Sequence, residues 1–111
     1  MTTISKTKKL ITFINVFTTE PENQSKVVEL LTHVTEKFVN KARGFISSSL
    51  HRSLDGTKVT MYAQWRSQED YLAMRADPRP LPYLQDALKI AKFESGAYEV
   101  IETFVSEEGN L

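Results

Sequence analysis

The stretch Lys58–Tyr71, KVTMYAQWRSQEDY, decides the fold. Val59, Met61, Ala63 and Trp65 alternate with Lys58, Thr60, Tyr62 and Gln64, the period-two pattern of a pleated strand. Ser67 stands three residues before Asp70, a capping-box-like start for a helix that carries Tyr71. The spacing predicts a strand that runs directly into a helix, with the only tryptophan at the strand's last position. Large aromatics at such places more often plug a core than meet a ligand. On the strand alone, both readings of Trp65 stay open.

Upstream, Asp55-Gly56 is a strong hairpin signal. It predicts a preceding strand over Phe45–Ser53, with Ser53 opposite Lys58, His51 opposite Thr60, Leu50 opposite Met61 and Ile46 opposite Trp65. One face then carries Ile46, Leu50, Val59, Met61, Ala63 and Trp65. The other carries Ser47, Ser49, His51, Thr60, Tyr62 and Gln64. Gly44 reads as a helix stop. Before it, Glu20-Pro21-Glu22 opens a helix, with Val27, Leu30, Leu31, Val34 and Phe38 as its buried stripe. Earlier still, Leu10–Thr18 is a strand apolar on both faces, interrupted by Asn15 on the face it shares with Ile11, Phe13 and Phe17.

Downstream, the helix from Ser67 reaches about Arg75, where the prolines at 78, 80 and 82 stop it. A shorter helix is expected near Tyr83–Ala91. Gly96 then separates it from a last strand over Ala97–Val105. The order is strand, helix, strand, strand, broken helix, strand. That is the α+β, ferredoxin-like split βαβ arrangement: a four-stranded antiparallel sheet with helices on one face. The expected division is a flexible segment 1–9, one domain over 10–105 and a polar tail 106–111. The helices can cover only one sheet face, and a second copy stacked on the other face would cover it, so a homodimer is expected.

Composition excludes several classes of function. Lys plus Arg and Asp plus Glu both total 14, which argues against broad electrostatic binding to nucleic acid or to a membrane surface. The absence of cysteine excludes disulfides, thiol nucleophiles and Cys-ligated metals. Lys6, Lys8 and Lys9 before the run Leu10–Phe17 imitate a secretory signal. The run is too short, however, and no small-residue cleavage site follows it. A cytoplasmic protein with no membrane span is expected.

Familiar catalytic motifs are missing: there is no phosphate loop, nucleophile elbow or HExxH. His33 and His51 fall on different elements facing different ways, so no metal site is expected. What remains is a neutral polar and aromatic set: Asn15, Trp65 and Tyr71, with His51, Tyr62 and Arg75 around them. A buried Asn on a central strand must satisfy its amide or cost about 1–3 kcal/mol. Its partner is either a loop or water, or a ligand oxygen. Strands one and three are neighbours in this topology, so Asn15 and Trp65 can line one cavity.

The segments Gly44-Phe45-Ile46, Leu50–Thr57 and Tyr62–Tyr71 resemble the antibiotic biosynthesis monooxygenase family, and the likeness spans about Thr12 to Phe104. The resemblance implies a dimeric α+β barrel and a monooxygenase that oxidises a small aromatic phenol, anthrone or hydroquinone with O2, without cofactor or metal. It implies catalytic roles for Trp65, Asn15 and Tyr71. Met61, Phe13, Phe17 and Leu50, on the same sheet faces, would bind substrate. Where the anthrone-oxidising branch has an Asn four residues before the Trp, this chain has Met61. Where the haem-degrading branch has a later His ligand, this chain has no histidine after His51. His51 itself is expected to face away from Trp65. The alternative is a non-enzymatic dimeric module that binds a small apolar ligand, made greasier by Met61.

Overall fold

The residues around Asp55 lock the turn that sets the sheet's register. The Asp55 carboxylate accepts from Ser53 Oγ at 2.7 Å, Thr57 N at 3.0 Å and Thr57 Oγ1 at 2.7 Å. Ser53 N donates to Lys58 O at 2.9 Å, the pairing the hairpin signal predicts. A computed structural model describes residues 2–7 and 9–107. In it, β2 (Phe45–Arg52) and β3 (Lys58–Trp65) pair antiparallel, with Leu50 opposite Met61 and His51 opposite Thr60.

One expected pair is corrected. Phe45, not Ile46, lies opposite Trp65, and Ser47 is opposite Gln64, so Ile46 is the extra residue of a bulge. The shift seats the Phe45 ring edge-on against Trp65, with centroids 5.3 Å apart, and leaves Ile46 half exposed. Burying the larger apolar ring is the more favourable choice. Gly44 makes the entry possible. Its φ of 83° is left-handed, and a Cβ there would collide with the Asp70 carboxylate.

β1 (Ile11–Thr19) pairs antiparallel with β3 on one side and with β4 (Ala91–Tyr98) on the other, giving the order β2-β3-β1-β4. A single 3-10 turn over Pro21–Asn23 leads into α1 (Gln24–Lys37). α2 spans Gln68–Ala76 and α3 spans Leu81–Leu88. The Ser67 cap forms as expected: its Oγ accepts from Asp70 N at 3.1 Å. Gln24, at the start of α1, ties helix to hairpin by donating to Ser53 O and Lys58 O, each at 3.0 Å.

The last strand is a second correction. It begins at Ala91, not Ala97, and α3 ends at Leu88 rather than reaching Ala91. Gly96 is not a separator. It lies inside β4, opposite Ile14, with the Tyr98 ring folded over it. An aromatic that covers an edge-strand glycine supplies the contact the glycine lacks. Val100, Ile101 and Val105, expected in the strand, lie in residues 99–107, which have no regular secondary structure. Ile101, Phe104 and Val105 are more than four-fifths exposed there (81%, 89% and 85%). Of the expected polar tail, residues 108–111 lie outside the described residues, as do Met1 and Lys8 of the N-terminal segment.

The helices cover one face of the sheet, and the core between them is in two parts. Phe17, Val59, Val27, Leu30, Leu31 and Ala87 form one cluster. Phe13, Ala63, Trp65 and Tyr71 form the other. Along β1 the break between Phe13 and Phe17 is Asn15, whose partner across the ladder is Met61. The opposite sheet face carries Ile14, Val16, Thr60, Tyr62 and His51 with no helix over it. Among the described residues, no helix is long and apolar enough to cross a membrane.

Candidate active site

A polar residue between two phenylalanines on a central strand prevents the core from closing there. At that seam lies a cavity of about 110 Å³, open on one side. Asn15 and Phe17 from β1, Met61, Ala63 and Trp65 from β3, and Tyr71 from α2 line it. Phe45, Ser48 and Phe93 complete the sheet side, with Leu31, Val34 and Leu84 among the residues on the helix side. The cavity is comparable with one of about 150 Å³ that takes up a single benzene ring.

Of the residues singled out in the sequence, Asn15, Phe17, Met61, Trp65, Tyr71 and Arg75 meet around this space. Phe13 does not reach it. It backs Tyr71 instead, ring on ring at 3.6 Å and 12°. Leu50 lies across from Met61 but packs into the first core cluster, away from the cavity lining. His51 is exposed on the uncovered sheet face, where its Nε2 lies 2.9 Å from Ser49 Oγ.

The local chemistry orients each group. The Asn15 side-chain oxygen accepts from Ser95 Oγ on β4 at 2.6 Å, and in this orientation its NH2 is the group left for the cavity. Trp65 is 1% exposed and wedged edge-on between Phe45 and Tyr71, at centroid distances of 5.3 and 5.6 Å. The Tyr71 hydroxyl accepts from Arg75 Nη1 at 2.9 Å, one turn further along α2. Asp77 also lines the cavity, but Arg79 donates to both its oxygens at 2.7–3.1 Å and holds its pKa below the usual carboxylate range.

Ser95 and Phe93 escape the sequence reading because they fall in the connection between the helix expected to end near Ala91 and the strand expected from Ala97. The alternation Ala91, Phe93, Ser95, Ala97 was the signal that could have found them. Among the described residues, no three His, Cys, Asp or Glu side chains gather as they would around a metal ion. The arrangement is an apolar, aromatic-walled slot with an amide and a phenol aimed inward. It can orient a flat ring and donate hydrogen bonds to its oxygens.

The antibiotic biosynthesis monooxygenase family profile matches residues 10–79. The tetracenomycin-F1 monooxygenase of Streptomyces glaucescens is 40% identical over 98% of this chain and 99% of its own length. The crystal structure of an anthrone oxidase-like protein superposes with a TM-score of 0.85 at 30% identity, over 94% of this chain and 44% of that one. A monooxygenase from Streptomyces coelicolor, solved with the ligand nanaomycin D, superposes at 0.72 with 25% identity, over 88% and 92% of the two chains.

Proposed function

Because this chain belongs to the antibiotic biosynthesis monooxygenase family, we propose that it is a cofactor-independent monooxygenase that oxidises a small phenol, anthrone or hydroquinone with O2. The observation that carries this reading is the convergence of Asn15, Trp65 and Tyr71 on one ring-sized cavity. Relatives named for tetracenomycin F1 and likened to an anthrone oxidase support the substrate class.

In this scheme the substrate ring enters between the Trp65 wall and the helices, and its oxygens meet the Asn15 amide and the Tyr71 hydroxyl. The substrate loses a proton to solvent at the mouth, from the ring CH2 of an anthrone or the hydroxyl of a phenol or hydroquinone, and the resulting enolate-like anion passes one electron to O2. Superoxide and the ring radical combine to form a C–O bond. The peroxide takes up a proton, then the carbon that bears it loses its remaining C–H proton as hydroxide departs. One oxygen atom stays as the new ring carbonyl and the other leaves as water. The protein contributes orientation, exclusion of water and stabilisation of the anion. Phe17 and Met61 complete the binding surface, while Phe13 and Leu50 support it from behind.

The test is oxygen uptake by the purified, metal-free protein with a panel of anthrones and hydroquinones. Uptake above autoxidation should fall about a hundredfold in Asn15→Ala, the scale seen when one donor to a developing oxyanion is removed. It should fall at least about tenfold in Trp65→Phe. Full turnover in Trp65→Phe would sink the scheme.

Met61 favours a second reading, a binding module without turnover, because it puts a thioether beside Asn15 where a second amide would serve an anion. Tight binding with no oxygen uptake would select it. On either reading the protein acts as a homodimer, which the uncovered sheet face with Ile14, Val16 and Tyr62 supports.

A further inference from the structure

The cavity is apolar inside and cationic at its rim. Arg75 and Asp77 are the charged residues of its lining, and Asp77 is already neutralised by Arg79. Arg75 is different from the arginines near it in sequence. Arg66 pairs with Asp70 and Arg79 with Asp77, but among the described residues no carboxylate pairs with Arg75.

Arg75 is nonetheless held in place. One Nη1 hydrogen goes to the Tyr71 hydroxyl at 2.9 Å. The guanidinium carbon lies 5.3 Å from the Phe93 ring centre and 5.8 Å from that of Tyr71. A planar cation fixed by two rings and a phenol, with its remaining N–H donors unclaimed by any acid, is built to meet a carboxylate. The geometry of the slot points the same way. It encloses about one ring, so a larger aromatic leaves its remainder across the rim, where Arg75 stands exposed.

We propose that the substrate is an aromatic that carries a carboxylate, with the ring to be oxidised inside the cavity and the carboxylate on Arg75 outside it. This rests on the monooxygenase reading for the reaction, but the anion site can be tested without turnover. The probes are anthracene carboxylate and anthracene methanol, which share a ring system and differ in charge. Binding is followed by the fluorescence of the single tryptophan, Trp65, in the cavity wall.

The wild-type protein should bind the carboxylate at least about tenfold more tightly than the alcohol, the scale of one charge-assisted pair. Arg75→Gln should abolish that preference and leave the affinity for the alcohol unchanged. Arg75→Lys, which keeps the charge but loses the fork, should retain part of it. Equal affinities in the wild type would overturn the proposal. So would a preference that survives Arg75→Gln, or a loss in that variant shared equally by both ligands. Carboxylate preference without oxygen uptake would uphold the anion site and count against the monooxygenase. Uptake with neutral anthrones and no carboxylate preference would do the reverse.

Discussion

At the residue scale, the decisive feature is a single hydrogen bond. An asparagine amide has two ends of opposite character, and only one can serve a substrate anion. Ser95 Oγ engages the oxygen end of Asn15, so in the proposed scheme Ser95 is a positioning residue for the NH2 group. Removing the hydroxyl frees the amide to rotate. Ser95→Ala should lower kcat about fivefold, the kinetic equivalent of roughly 1 kcal/mol, with KM much less affected. Ser95→Thr, which restores a hydroxyl, should recover most of the rate. Ser95→Val, which matches threonine in shape and strand preference but lacks the hydroxyl, separates this from a structural effect: in steady-state oxygen uptake it should stay as slow as Ser95→Ala.

At the element scale, the β2–β3 hairpin carries Trp65 and Met61 into the site, and its turn is held electrostatically. Hydrogen bonds from the Thr57 side chain, the Ser53 side chain and the Thr57 backbone lower the Asp55 pKa from its ordinary 3.8 to about 2. A carboxyl whose folded pKa is depressed stabilises the fold above its unfolded pKa, and that contribution disappears as pH falls through the folded value. The Asp55 contribution is therefore complete above about pH 4 and drains away towards pH 2. Asp55→Ala should lower the melting temperature at neutral pH, and the difference from wild type should narrow across that acid window. Thermal melts over a pH series measure both.

At the scale of the whole molecule, the fold leaves one sheet face without a helix. Ile14, Val16 and Tyr62 share that face with Thr60 and His51. Beyond β4, Ile101, Phe104 and Val105 stand in solvent. A neutral net charge offers little repulsion between copies. Light scattering should give twice the chain mass. Tyr62→Lys, which places a charge in the middle of the face, should shift the species to the chain mass. A wild-type monomer at micromolar concentration would refute the homodimer.

Sequence alone determined the features that neighbours along the chain control. The alternation from Val59 to Trp65, the Ser67 cap and the Asp55-Gly56 turn are local matters of pleat, hydrogen bond and backbone preference, and all stand as the residues dictate. The clustering of Asn15, Trp65 and Tyr71 was legible too, because topology made strands one and three adjacent. Tertiary structure alone decided the rest. Phe45 displaced Ile46 because the Trp65 ring lay across from it. β4 ran through Gly96 because Tyr98 folded back over it. Phe13 and Leu50 left the cavity for the packing behind it, while Phe93 came to its wall, and Ser95 to the Asn15 amide, from a segment distant in sequence. Those choices depend on which buried surface wins between remote parts of the chain, and no local pattern carries that comparison.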